Sequence, residues 1–332
     1  MQQEKIKVTY FFRKPRPQYH SIERVFGLII DNLSEEITPT VYKLSGGEKG
    51  FFSRIKALWE VRRNRGFINH ITGDISYIAL VLPKKRLIIT FHDLESLERK
   101  DGIRSKVLKW FWVVVPARRA KLITVISNHT RDKLVEWTGV SESKIKVIPN
   151  PLPDGFVYTP KTINHEKPLI LAVGTKPNKN LEGTIRALEG VSCKLLIVGL
   201  LTGRQLGLLK EKGVEYENLT GASDEQIIDA YKRCDILCFP SFFEGFGMPI
   251  IEAQAVGRAV ITSSYGAMRE VAGDGALLVD PNYHEEIGAC LKMLICDDEL
   301  RMQLVEKGLL NSKMHNPVIV AGRYAEIYNA LH

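Results

Sequence analysis

The chain predicts an α/β protein of two domains, each built around a mainly parallel sheet. Short apolar runs alternate with amphipathic stretches along its whole length, the pattern of strand–helix repeats. At 332 residues it is long enough for two full cores. Residues 151–168 carry four prolines and no apolar periodicity, which marks a division near the middle. Residues 1–152 are thus expected as a first domain, 153–167 as a linker and 168–314 as a second domain, with a helix over 315–332 at the end.

The elements follow in order. In the first domain 6–12, 41–44, 68–70, 86–91 and 122–126 read as strands, each a short β-branched or aromatic run. Helical stretches lie between them near 21–33, 52–65 and 105–120. A helix over 127–138, capped by Ser127 or Asn128, and a short strand at 146–149 complete this half. In the second, 169–174, 194–199, 236–241, 260–263 and 276–279 read as strands, with a helix at 181–188. Ser223-Asp224-Glu225-Gln226 fits a capping box that opens a helix running to about Cys234. Helices near 283–296, 298–313 and 317–331 finish the chain.

The most informative stretch is SFFEGFGMPIIEAQAVG, from Ser241 to Gly257. Gly245 and Gly247 allow a tight turn after a buried strand, and Pro249 suits the first turn of a helix. Gly257 is a natural C-terminal cap. A strand, a Gly-rich turn and a helix together present free N–H groups to an anion at the strand's carboxyl end. Glu244 sits on the turn, where a carboxylate can bond the hydroxyls of a sugar. Glu252 lies about one turn into the helix, placed to accept two bonds from a vicinal diol such as that of a ribose. The strand-to-helix joint GTKPNKN, Gly174 to Asn180, adds Lys176 and Lys179 beside another set of free amides.

EGFGMPIIEA resembles the E-x7-E signature of the retaining, nucleotide-sugar-dependent glycosyltransferases of family 4, the glycosyl transferases group 1. LAVGTKPNKNLEGTIRAL (171–188), DEQIIDAYKRCDILCFPS (224–241) and MREVAGDGALLVDP (268–281) match the same family in order and spacing. The likeness covers about 85–310 and is stronger after Pro168. It implies the GT-B fold, two Rossmann-like domains facing across a cleft, with the last helix crossing back to the first domain. It further implies that Gly174, Thr175, Lys176, Lys179, Glu244, Gly245, Phe246, Gly247, Met248 and Glu252 bind the nucleotide-sugar donor. Glu244, Lys179 and His92 would act in catalysis, His92 matching a histidine that faces the transferred sugar.

Two departures from the family stand out. The arginine usual just before the lysine is Asn178 here, in a loop one residue shorter, and Lys176 is expected to compensate. The Gly-rich loop after the first strand is replaced by FFRKPRPQYHSIERVF (11–26), without glycine. Arg13, Lys14, Arg16, Tyr19, His20 and Ser21 stand in its place, either as a pocket for an anionic acceptor or as a stiff surface loop. Arg13, Tyr19, His20 and His70 are the acceptor candidates, and Ser127 and Thr130 are candidates near the same cleft. Asp93 is expected to cap its local turn.

Net charge is +8, but the first 150 residues hold 28 Lys+Arg against 15 Asp+Glu, a balance of +13, and the rest of the chain is at −5. A phosphorylated acceptor or an anionic membrane face fits this better than nucleic acid, since no recognition motif accompanies the charge. Residues 51–66 and 99–122 mix aromatic and basic side chains, as an interfacial segment does, or as a buried helix with a solvated basic face does. Five cysteines without zinc-like spacing, no opening that reads as a signal peptide and no apolar run of about 18–20 residues lead to the expectation of a cytoplasmic protein, with peripheral attachment to the inner membrane face open. No Asp-x-Asp triplet and no G-x-G-x-x-G occurs, so neither a metal nor a dinucleotide cofactor is expected. The expected partners are a nucleotide-sugar donor, UDP- or GDP-linked, and a saccharide or lipid-linked acceptor, in surface polysaccharide or glycolipid assembly. A sugar-nucleotide epimerase, a phosphorylase and a non-catalytic nucleotide-sugar-binding subunit remain alternatives.

Overall fold

The computed structural model describes residues 5–14, 21–46, 50–94 and 107–332. It divides into two compact units, one drawn from Met1–Pro151 and Asn316–His332, the other from Leu152–His315. Arg16, Tyr19 and His20 lie outside the described residues, as does the 99–106 part of the second aromatic–basic segment.

The first unit is a parallel six-stranded sheet. Its elements are β1 (Ile6–Phe12), α1 (Ser21–Asp31), β2 (Ile37–Lys43), α2 (Phe51–Arg63), β3 (Ile68–Ile71), β4 (Leu87–Phe91), α3 (Val115–Arg119), β5 (Leu122–Val125), α4 (Asn128–Thr138) and β6 (Ile145–Val147). The strand order is β2-β1-β3-β4-β5-β6. β1 is buried on both faces, as an inner parallel strand should be. Val8, Tyr10 and Phe12 join one core, with Phe26 of α1 and with Val320, Tyr324 and Tyr328 of the C-terminal helix, Pro317–Asn329. Phe11 enters the other core with Leu44, Ala57 and Val61. The last helix therefore belongs to this unit.

Two elements of this unit differ from the sequence reading. β2 begins four residues earlier, in register with β1 from Ile6↔Ile37 to Phe12↔Lys43. It is an edge strand whose residues from Pro39 to Val41 are exposed, so it carries no apolar pattern and tolerates proline. The expected helix over 105–120 holds a π-helical turn, Trp110–Val114, before α3. Pro116 has no N–H to give the Trp112 carbonyl, and the Ser76 hydroxyl donates to that carbonyl instead.

The second unit contains β7 (Leu169–Val173), α5 (Leu181–Ala187), β8 (Lys194–Val198), α6 (Gly203–Glu211), β9 (Glu215–Leu219), α7 (Asp224–Arg233), β10 (Ile236–Phe239), α8 (Met248–Val256), β11 (Ala259–Ser263), α9 (Gly266–Ala272), β12 (Leu277–Val279), α10 (His284–Cys296) and α11 (Asp298–Lys313). All strand pairs are parallel, in the order β9-β8-β7-β10-β11-β12. The capping box at Ser223 and Gln226 is present, and a second one, Thr202 with Gln205, opens α6. Cys193, Cys234 and Cys238 are buried free thiols, and burial pushes them up to about 11, about 12 and about 12. They are inert packing groups.

The segment read as a linker is packed along the second unit. Leu152 N–H donates to His315 O at 2.7 Å, Phe156 stacks edge-on against Tyr231, and Ile163 joins the core. Buried Arg258 donates to the Thr159 carbonyl at 2.9 Å, and Lys161 pairs with Asp235.

Candidate active site

The strand order of the second unit reverses between β7 and β10. β8 and β9 lie on one side of this point, β11 and β12 on the other, so the loops leaving β7 and β10 open a crevice at their carboxyl ends. The loop after β7 is Gly174–Asn180, and the loop after β10 runs from Pro240 to Gly247.

Hydrogen bonds join the two loops. Phe242 N–H donates to Asn178 O at 2.8 Å, and Asn178 Nδ2 donates to Phe243 O at 3.2 Å and to Glu244 Oε1 at 3.3 Å. Lys179 Nζ reaches the same Glu244 oxygen at 2.6 Å, with side-chain exposures of 20% and 14%. Gly174 makes room for this: its φ is +91°, and a Cβ there would lie 2.9 Å from Lys179 Cγ. Asn180 anchors the loop from beneath. Its left-handed backbone (φ 54°) ends the turn, its Oδ1 accepts from Gly183 N–H to cap α5, and its Nδ2 donates to Pro281 O at 2.7 Å.

The other donor candidates fall around this junction. Thr175 Oγ1 donates to Leu200 O at 2.7 Å, and Gln205 Nε2 donates to Thr175 O, so Thr175 ties the β7 loop to the β8 loop. Lys176 is exposed. Phe246 is buried edge-on against the His315 ring, and Gly247 (φ 105°) leads into Met248, the first residue of α8. Gly245, just before them in the chain, is half-buried. Glu252, the fifth residue of α8, accepts from the Tyr231 hydroxyl at 2.6 Å. Burial and the adjacent Glu252 carboxylate hold the Tyr231 phenol well above its ordinary range, so it stays a donor. The sequence reading missed Tyr231, because it acts through Glu252, a partner distant in the chain.

In the first unit, the order reverses between β1 and β3. A cavity of about 220 Å³ lies at the carboxyl ends of β3 and β4, lined by Gly73, Asp74, Ser76, Thr90, His92 and Asp93 among others. His92 Nε2–H donates to Thr72 O at 2.8 Å. Burial lowers the pKa of His92, which keeps the ring neutral at physiological pH.

Three first-unit expectations need correction. His70 is fully buried in β3, with Nδ1 on Tyr328 Oη and Nε2 on Thr90 Oγ1, both at 2.8 Å, so it offers no group to an acceptor. Arg13 is paired with Glu23 and Asp74, both at 2.9 Å, which neutralises the charge expected to attract an anion. Ser127 and Thr130 are buried, and the Ser127 hydroxyl caps α4 by accepting from Thr130 N–H at 3.2 Å. Their work is structural.

Comparison with known proteins bears on the whole chain. The model of the Glycosyltransferase Family 4 matches residues 2–154, and that of the Glycosyl transferases group 1 matches 159–310. O-antigen chain mannosyltransferase B of Escherichia coli is 27% identical over 285 residues, 77% of this chain and 72% of that one. O-antigen chain mannosyltransferase RfbU of Salmonella typhimurium is 29% identical over 216 residues, 61% of this chain and 59% of its own length. Among solved structures, Anabaena HepE in complex with UDP and glucose superposes with a TM-score of 0.78 at 16% identity, covering 98% of this chain and all of that one. That likeness shows the GT-B fold. With both halves of the chain matched, the protein belongs to the group 1 family of GT-B glycosyltransferases.

Proposed function

We propose that the protein transfers a sugar, with retention of anomeric configuration, from a UDP- or GDP-sugar to an acceptor hydroxyl in surface polysaccharide assembly. The observation that carries this reading is the junction of Lys179 and Glu244 at the point where the second sheet reverses. An ammonium group there would stabilise charge building on the departing diphosphate, with Lys176 in support and no metal needed. Glu244 and the Phe246–Gly247 turn would hold the sugar, and Glu252 the ribose hydroxyls. His92 would contact the transferred sugar. No second nucleophile is evident, so front-face departure with attack from the same side is the route proposed.

The relatives support the acceptor class. Two are mannosyltransferases of O-antigen chains, and a Campylobacter jejuni relative, 28% identical over 261 residues, is named for a diphospho-undecaprenol-linked acceptor. A lipid-linked acceptor agrees with the +13 balance of the first 150 residues and with the exposed aromatics on α2, which suit an anionic membrane surface.

The test is a thermal-shift screen of UDP, GDP, ADP and their sugars in EDTA, followed by transfer from the best donor and NMR of the product's anomeric proton. One nucleotide class should stabilise the protein, and Glu252→Ala should weaken that nucleotide by roughly tenfold or more, the worth of a lost charged hydrogen-bond pair. Unchanged affinity removes Glu252 from the ribose. An inverted product or a dependence on metal ions defeats the mechanism.

A further inference from the structure

We infer that Asn178 is a positioning residue that decides which oxygen of Glu244 meets the transferred sugar. The inference rests on the donor reading proposed above and adds a residue to it. Both bonds to Glu244 fall on one oxygen: Oε1 takes Lys179 Nζ at 2.6 Å and Asn178 Nδ2 at 3.3 Å. Oε2 has no partner among the described residues, and the carboxylate remains 14% exposed. A carboxylate gripped at one oxygen cannot spin, so its second oxygen keeps a fixed direction for accepting a hydroxyl.

Asn178 is itself rigid. Its carbonyl accepts from Phe242 N–H at 2.8 Å and its amide also donates to Phe243 O at 3.2 Å, so both ends are clamped to the β10 loop. An arginine, which the family resemblance leads one to expect here, would bring a charge able to reach the diphosphate. The neutral amide leaves that work to the lysines and contributes alignment alone. Asn178 should therefore act on recognition of the sugar and leave the nucleotide diphosphate indifferent to its loss.

Calorimetric titration separates these roles, using UDP with UDP-glucose and GDP with GDP-mannose as probe pairs. In Asn178→Ala, affinity for the nucleotide sugar of the binding pair should fall about tenfold, while that for the bare nucleotide stays within twofold. Asn178→Asp keeps the shape and the Phe242 bond but sets a carboxylate against Glu244, and should lose more. It also serves where the alanine variant fails to fold. In a Glu244→Gln background, Asn178→Ala should cost little further, since the group it orients has changed. Equal weakening of nucleotide and nucleotide sugar in the Asn178 variants overturns the inference. If Glu244→Gln alone leaves the sugar's share of the affinity intact, or if neither pair binds, the donor reading fails first and the inference with it.

Discussion

At the scale of single residues, the chemistry is legible and the burial is not. Glu244, Glu252 and Lys179 could be singled out by their spacing and by the family resemblance, and the structure brings Lys179 and Glu244 into contact. Asn178 could only be marked as a departure, since its role depends on a carboxylate 66 positions away in the chain. His70 shows the reverse failure, a reactive type in a structural place. Tyr10 Oη–H donates to Tyr328 Oη, so the Tyr328 proton goes to His70 Nδ1 and the ring's Nε2–H goes to Thr90. Burial holds the ring pKa down to about 3, against 6.5 for the free side chain. Below pH 6.5 the unfolded chain therefore binds more protons than the folded one, and stability drains away as pH falls from about 6.5 toward 3. His70→Gln can keep both bonds without titrating. It should be less stable at pH 7.5 by roughly 1–3 kcal/mol through imperfect fit. Between pH 7 and 5, however, the wild type should lose about 2 kcal/mol more than the variant. Urea midpoints across this range decide the matter, and parallel pH profiles would mean that His70 is not held neutral by the fold.

At the scale of elements, legibility follows burial. β4, β10 and β11 are fully buried and their apolar runs stand out in the sequence. β2 and β9 are edge strands with polar, exposed side chains, so β2 could be bounded only by its partner and β9 left no apolar trace. α2 presents the opposite anomaly. Ala57 and Val61 are buried on one side, while Phe52, Ile55 and Trp59, at i, i+3 and i+7, stand 84%, 46% and 59% exposed on another. Arg63 lies 4.3 Å over the Trp59 ring and Lys56 is exposed beside it. A stripe of aromatic and basic groups is what an anionic bilayer surface would bind. Phe52→Ser with Trp59→Ser should lower binding to vesicles containing phosphatidylglycerol by at least tenfold in sedimentation, with the melting temperature unchanged. Wild-type protein that ignores such vesicles at low salt ends the membrane proposal. No helix among the described residues is long and apolar enough to cross a membrane.

At the scale of the whole molecule, the alternation of strands and helices gave the class of fold, but the order of strands in each sheet cannot be read from one sequence. Crossovers on either side of a central strand look alike along the chain, and only packing distinguishes them. The return of the last helix to the first unit was an expectation from family likeness, and its physical basis is visible in the core. Val320, Tyr324, Ile327 and Tyr328 are buried against Tyr10, Phe26 and Ile68. Each such side chain is worth about 1.5–3 kcal/mol when fully buried, so together they rival the 5–15 kcal/mol by which a typical domain is stable. The polar chain Tyr10–Tyr328–His70–Thr90 would also lose a member and leave buried groups unpaired. Removing residues 317–332 should accordingly unfold the first unit, although its whole sheet is encoded before position 151. The second unit keeps all its strands and both loops of the candidate site, so the truncated protein should still show a cooperative melt that rises with the nucleotide found in the thermal-shift screen. Calorimetry of the truncated chain, with limited proteolysis of the two halves, reads both outcomes. A first unit that stays folded and protease-resistant without its C-terminal helix would show that the helix covers its core without sustaining it.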